Sequence, residues 1–490
     1  MTSAANRHQA LRGPIQNRRL RTFFAVLAVA ALLSGAMSGC GRDPRASGAR
    51  DRPNILLITI CTFRYSHMGA AGYGRNTTPF LDSLAGKGLF FENAASSSSW
   101  TKPSVASILT GLTSQVHGMT DFYEPPKPGS DDLKPSRILA DEIVTLPEAL
   151  RDAGYATGAA INNSHISEFF NLVQGFETRN ESYRLDTSGL VDRLEAFLAE
   201  TPSDEPFFFF MLSRDPHVTF NPDYEVFRRF NRAEPLPTAE AYAGFPRDVR
   251  QWALGVRKEF KAGRIDVETP GVKSYVDLYD AELAQLDAAL RRVPQILEEA
   301  GRAENTLIVF TADHGERLFD HGNLGHGAFL DEATVHVPLF FVGPGIAGGQ
   351  RDPRQVRSID LYPTLARLAG AELPSLLPGR DLFAPVPDDA DPAKLSAPSS
   401  VYEREHSVRA EGHVLYQRAR GELELFDLEA DRGEDRELSA TRPGVTGRLK
   451  AYLEFWQALE ERTAPMVGSG GTRSLTPEIE EELRALGYIQ

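Results

Sequence analysis

The chain has 490 residues, 41% of them hydrophobic and 24% charged, with a formal net charge of -14 at pH 7. That is globular composition, with apolar material for a large core. The acidic balance lacks the basic footprint that a nucleic-acid partner requires, so none is expected. At roughly 150 residues per domain the length allows about three domains, although a large α/β enzyme exceeds that size in one unit.

The first forty residues read as a targeting segment. Arg7, Arg12, Arg18, Arg19 and Arg21 form a positive stretch, Phe23 to Leu33 a short apolar one, and Met37-Ser38-Gly39-Cys40 ends like a bacterial lipobox. Residues 1–40 are expected to be a lipoprotein-type signal peptide, with Cys40 lipidated as the first mature residue. The alternative, an uncleaved membrane anchor, wants about 20 apolar residues, and this run is short for that. Residues 41–52 (GRDPRASGARDR) are polar and read as a tether. The expected location is the cell envelope, periplasmic or outer surface, with the chain held to a membrane by lipid. Cys40 and Cys61 are the only cysteines, so lipidation of the first leaves no intrachain disulfide.

Asn54 to Ile60 is a continuous, β-branched apolar run and predicts a buried parallel strand. Pro206 to Leu212, Thr306 to Phe310 and Pro338 to Val342 predict further strands. Between them, helices are predicted at Pro79–Lys87, Ser104–Leu112, Thr145–Ala153, Leu190–Ala199 and Tyr275–Leu297. Buried strands alternating with helices imply an α/β fold, a large and mostly parallel mixed sheet covered on both faces. From about Pro374 the texture changes. Ala384 to Ala397 reads as a linker, and Gly412–Gln417 and Glu422–Leu428 as strands of a small antiparallel sheet. A helix is expected at Gly447–Glu461, a hinge at Gly468–Gly471 and a terminal helix at Leu475–Tyr488. The expected domains are 53–373, a catalytic α/β domain, and 374–490, a smaller C-terminal α+β subdomain.

In sheets of this kind chemistry collects at the carboxyl ends of strands. The first run ends in Cys61-Thr62-Phe63-Arg64, and the third in Ala312-Asp313-His314-Gly315-Glu316. A carboxylate and an imidazole from one turn suit a divalent metal; the plainer reading is a solvated turn with a capping Asp. His321, His326 and His336 follow, so four of the eleven histidines lie in or beside one loop system. Asp215-Pro216-His217 closes the phenylalanine strand, and by itself fits a solvated turn as well as a site. In Trp100-Thr101-Lys102-Pro103-Ser104 a helix is expected to begin near Pro103, its N-terminus aimed at an oxyanion beside Thr101. Thr101 is then either a nucleophile activated by a neighbouring metal or a helix cap.

These segments, from RPNILLITICTFRYSHMGAAGYGRNTTPFLDSLAGKGLFFENA through WTKPSVASILTGL, DAGYATGAA, DPH, TADHGERLFDHGNLGHG, DEATVHVPLFFVGPG, SIDLYPTLARLAG and ELELFDLEADRGE to LRALGYI, resemble the sulfatase family of the alkaline-phosphatase superfamily over nearly all of residues 52–490. The resemblance implies a divalent metal, calcium in the family, held by an acidic residue after the first strand and by Asp313 and His314. Cys61 stands where that first acid belongs, either as a soft ligand that opens manganese or zinc as alternatives or as a small apolar residue at a strand end. Thr101 stands where the family has the cysteine that matures to formylglycine, and Val105 where its motif has arginine. His326, His217 and Lys102 are the candidates for anion contact or leaving-group protonation. The implied activity is hydrolysis or transfer of sulfate or phosphate esters by a Thr nucleophile, on a small-molecule or glycan ester. The rival expectation is a catalytically impaired envelope protein that binds an anionic glycan or a protein partner.

Overall fold

The computed structural model describes residues 52–121, 135–218, 220–232, 255, 258–402 and 404–485. Cys40, the leader and all but the last residue of the tether lie outside them, as do residues 233–254 of the long segment between Phe220 and Val272. Arg52–Gln490 forms a single unit.

Its main sheet has eight strands: β1 Asn54–Ile60, β2 Leu89–Ala95, β3 Ala156–Ile161, β4 Thr178–Glu181, β5 Phe207–Ser213, β6 Thr306–Ala312, β7 His336–Val342 and β8 Gln350–Arg357. Their order is β8-β2-β7-β6-β1-β5-β3-β4. Neighbours pair in parallel except for β7, which runs antiparallel to both β2 and β6. The sheet is therefore mixed, with one reversed strand. All seven residues of β1, β5 and β6 are buried, which is why those strands read as unbroken apolar runs. Phe176 stacks on Phe208 and Phe210, and Phe197 meets Phe207 and Phe209, filling the space between sheet and helices.

The helices include α1 Pro79–Ala85, α2 Thr101–Thr110, α3 Leu146–Asp152, α4 Thr187–Glu200, α5 Pro270–Leu290, α6 Leu361–Ala369 and α7 Pro443–Thr463. Three expectations are corrected. The helix expected over Tyr275–Leu297 is two, because α5 stops at Leu290 and a short helix starts at Val293 with Pro294 in its first turn. The helix expected from Pro103 begins at Thr101, with Trp100 as its extended cap residue. The hinge expected at Gly468–Gly471 is tied down: Thr472–Arg473 pairs with Ser136–Arg137, and Gly470 lies so close to the Ile138 carbonyl that a Cβ would sit 2.0 Å from it.

The C-terminal sheet is antiparallel, β9 Ala397–Val401, β10 Glu405–Ala410, β11 His413–Gln417 and β12 Leu423–Asp427. Its alternation has a clear use. Val408, Leu415 and Leu425 face α7 and meet Leu449, Leu453 and Trp456. Val414, Tyr416 and Phe426 face the other way and pack with Trp100, Leu330 and Val335. The small sheet thus buries the residue next to Thr101. Among the described residues no helix is long and apolar enough to cross a membrane.

Glu460, near the end of α7, is 8% exposed, and burial pushes its carboxyl up to about 7. A raised folded-state pKa costs stability as pH climbs from the unfolded value to about 7 and is a constant penalty above it. Glu460→Gln is therefore expected to stabilise the fold at pH 8, on the order of 2–3 kcal/mol. It should change little at pH 3, where both states carry the proton. Thermal unfolding at the two pH values checks this; equal gains at both would refute it.

Candidate active site

Register brings the site together. Ile60 of β1 lies beside Ser213 of β5 and Ala312 of β6, so the three chains leave the sheet side by side. Cys61 then donates its N–H to the Ser213 carbonyl at 2.7 Å, and Asp313 its N–H to the Ile60 carbonyl at 3.3 Å. The antiparallel β7 begins at the same end, and α2 enters there with Thr101 in its first turn.

Four side chains converge. Thr101 Oγ1 is 3.2 Å from Cys61 Sγ and 3.3 Å from His314 Nε2, and Cys61 Sγ is 3.8 Å from His314 Nε2. Asp313 Oδ2 is 3.6 Å from His314 Nε2. All four residues are fully buried. Asp313 Oδ1 accepts the N–H of Thr62 at 3.3 Å and of His314 at 2.7 Å. The His314 Nδ1 proton goes to the Gly315 carbonyl at 2.8 Å, which leaves Nε2 as a lone pair facing Thr101 and Cys61. Thr101 is the first helical residue of α2, the N-cap position being Trp100, and its Oγ1 is turned to Cys61 and His314, so the cap reading of this residue fails. Gly315 has no room for a side chain: a Cβ there would lie 2.1 Å from the Ala333 carbonyl.

Electrostatics favour neutral groups in this centre as it stands. Burial pushes Asp313 up to about 7. Burial and then the neighbouring Asp313 charge push the Cys61 thiol well up. Burial holds His314 well below its ordinary value. A cation would invert that balance. The donor set fits one: Cys61, Asp313 and His314 offer sulfur, oxygen and nitrogen within 4.8 Å of one another. Asp313 Oδ2 is buried and has no hydrogen-bond partner among the described residues. Metal–ligand bonds of about 2.0–2.3 Å in a tetrahedron put donors roughly 3.3–3.8 Å apart, which matches the separations here. A thiol in the set suits zinc better than calcium or magnesium, which take oxygen ligands.

The other expected residues are distributed unequally. His326 belongs to the centre, its ring 4.5 Å from that of His314, and His217 joins it at 4.9 Å from His326. Burial lowers His217 to about 3, and its Nδ1 donates to the Val218 carbonyl at 2.6 Å. Lys102 Nζ instead donates to Asp121 at 2.6 Å and Ser136 at 2.9 Å. Lys102 is 0% exposed, and burial lowers its pKa to about 8. His336 stacks on Tyr65 at 3.7 Å and bonds Glu332 at 2.6 Å, and His321 is exposed beside Asp331 and Glu434. The four histidines of that loop system therefore do not share one site.

Glu316 was given no role by sequence reasoning. It is fully buried, and its Oε2 accepts from His326 Nδ1 at 2.9 Å. The signal was a hairpin: Arg317 pairs with Gly325, so Glu316 and His326 meet one register step beyond. Asn163, 3.8 Å from Cys61 Sγ through its Nδ2, also borders the centre.

The molecule is an α/β protein whose mixed sheet gathers a thiol, an imidazole and a carboxyl at its strand ends and a hydroxyl from the first turn of α2. Residues 53–371 match the family model described as Sulfatase, and the chain belongs to the sulfatase family. It is 25% identical to human iduronate 2-sulfatase over 438 residues, covering 73% of this chain and 76% of that one. A solved chain in complex with its substrate D-glucosamine-2-N,6-O-disulfate superposes with a TM-score of 0.68 at 22% identity, covering 84% of this chain and 99% of that one. The phosphonate monoester hydrolase of Agrobacterium radiobacter gives 0.65 at 21% identity, covering 84% and 96%.

Proposed function

We propose that this chain is an exported, lipid-anchored, metal-dependent hydrolase or transferase of sulfate or phosphate esters, with Thr101 as nucleophile. The observation that carries the reading is the convergence of Thr101 Oγ1 on Cys61 Sγ and His314 Nε2 at 3.2 and 3.3 Å, in the first turn of α2. A divalent cation held by Cys61, Asp313 and His314 would polarise the ester and lower the pKa of the Thr101 hydroxyl. Thr101 attacks the phosphorus or sulfur. The first turn of α2 presents its positive end to the developing oxyanion. His326, oriented through Nδ1 by Glu316, takes up the proton released by the Thr101 hydroxyl at Nε2 and delivers it to the departing oxygen.

Threonine tilts the substrate toward phosphate. A phosphorylated or sulfated Thr has no route of self-release such as a formylglycine hydrate has, so water must attack the esterified phosphorus or sulfur directly. In-line displacement of that kind is familiar at phosphorus. The related phosphonate monoester hydrolase and the glucosamine disulfate complex make both aryl sulfates and aryl phosphate mono- and diesters the substrates to assay, with added zinc, manganese or calcium. Turnover that survives chelation would refute the metal, and turnover of none of these esters would sink the activity.

One observation favours the rival reading, a binding protein with a spent centre: Cys61, Thr101, Asp313 and His314 are all 0% exposed. The Cys61→Asp variant separates the two. In the catalytic reading it exchanges a soft ligand for a hard one. The most activating metal is then expected to move from zinc to calcium or magnesium, seen by metal titration of turnover. If the native chain is inactive with every metal and only Cys61→Asp turns over ester, the binding reading holds.

A further inference from the structure

A second cluster lies outside the centre just described. A cavity of about 590 Å³ is bordered by Arg64, Tyr65, His336 and Arg432, and on one wall it carries His321, Asp331 and Glu434. His321 and Asp331 lie ten residues apart in one loop region and Glu434 about a hundred residues further on, and each places a donor atom within 4.8 Å of the others. Two of them are buried, Asp331 at 4% exposed and Glu434 at 7%.

The carboxyls lining this cavity are paired with arginines, with one exception. Asp320 binds Arg64, Glu92 binds Arg351, Asp331 binds Arg317, and Glu332 binds Arg409 and Arg432. Glu434 has no basic side chain on it. The Tyr416 hydroxyl donates to its Oε1, and Oε2 has no hydrogen-bond partner among the described residues. A buried carboxyl facing a cavity without a cation is costly in the ionised form. Burial accordingly raises it to about 8, with Asp331 adding to the shift and Arg409 opposing it. Asp331 has Arg317 as its counter-charge, whereas Glu434 has none of its own at the point where an imidazole nitrogen and two carboxylates meet.

We propose that His321, Asp331 and Glu434 form a second divalent-cation site, selective for zinc, facing the cavity and separate from the Cys61 centre. The donor set is one nitrogen and two oxygens, which suits zinc and leaves a position open toward the cavity for water or an anionic ligand. The supports expected around a metal site are present. Arg317 and the Thr334 hydroxyl hold the Asp331 carboxylate, and Tyr416 holds Glu434. His321 makes no side-chain hydrogen bond among the described residues, so its ring is free to ligate.

The test uses the full chain, stripped with a chelator and titrated with zinc chloride in a Cys61→Ala background. Stoichiometry comes from metal analysis and affinity from calorimetry. One zinc per chain is expected to remain in that background. His321→Ala and Glu434→Gln, added singly, should each weaken it by about tenfold or more. Cobalt added in place of zinc should give a visible d–d spectrum without a thiolate charge-transfer band. His321 is exposed, so its variant reports on ligation without risk to the fold. Absence of zinc binding in the Cys61→Ala chain, or affinity unchanged by both added substitutions, overturns the proposal.

Discussion

Thr101→Ala is expected to lower ester turnover by roughly a thousandfold or more, with the fold intact. The magnitude follows from removing the attacking atom while binding and polarising groups stay in place, which leaves only residual catalysis. Thr101 makes hydrogen bonds to Cys61 and His314 and none that cap α2, so its loss leaves the helix N-terminus undisturbed. Thr101→Ser keeps a hydroxyl and should retain a measurable fraction of activity. The informative measurement is single-turnover kinetics with an aryl ester, watching for a covalent adduct on residue 101 by mass spectrometry. Turnover in Thr101→Ala at the native rate would remove Thr101 from the chemistry altogether.

Asp360→Ala is expected to cost about 3–5 kcal/mol of stability, because it leaves a buried guanidinium without its counter-charge. Asp360 and Arg357 are 0% and 2% exposed. Asp360 accepts from Arg357 Nε at 3.1 Å and Nη2 at 2.6 Å, and from the backbone N–H groups of Arg357 at 3.0 Å and Arg380 at 2.9 Å. Arg357 also donates to the Lys394 carbonyl at 2.9 Å and lies over the Trp456 ring. The pair therefore joins the end of β8 and the start of α6 to the layer formed by α7 and the small sheet. Urea unfolding measures the loss. The double variant Arg357→Met with Asp360→Leu should recover part of it, since no charge is then stranded. A loss below about 1 kcal/mol for Asp360→Ala would mean that the pair is solvated or replaceable.

The strand runs were the most legible part of the chain. β1 was located to the residue, and β5, β6 and β7 to within two residues at either end, because these buried strands are mostly apolar and carry no Asp, Glu, Lys or Arg. β2, β3, β4 and β8 escaped notice. Leu89–Ala95 contains Glu92 and Asn93, Ala156–Ile161 is mostly small residues, and Gln350–Arg357 is mostly polar. Their strand character comes from neighbours and not from their own apolar content. The reversal of β7 was equally hidden, since a continuous apolar run does not record direction.

For the candidate site, sequence alone determined the chemistry available: a hydroxyl before a helix, a thiol after one strand, and an Asp-His pair after another. The resemblance to the sulfatase family implies an acid at the position of Cys61, and on the proposed function that substitution is what bears on metal preference. Tertiary structure decided which of these groups meet. The register of β1 between β5 and β6 put Cys61 and His314 within 3.8 Å of each other. A short hairpin with two-residue strands turned Glu316 onto His326, while Lys102 was drawn to Asp121 and His336 to Tyr65 and Glu332. The physical reason is that a titratable side chain is placed by its counter-charge and its burial, both supplied by residues far away in sequence. Local pattern reports backbone periodicity and is silent on that pairing.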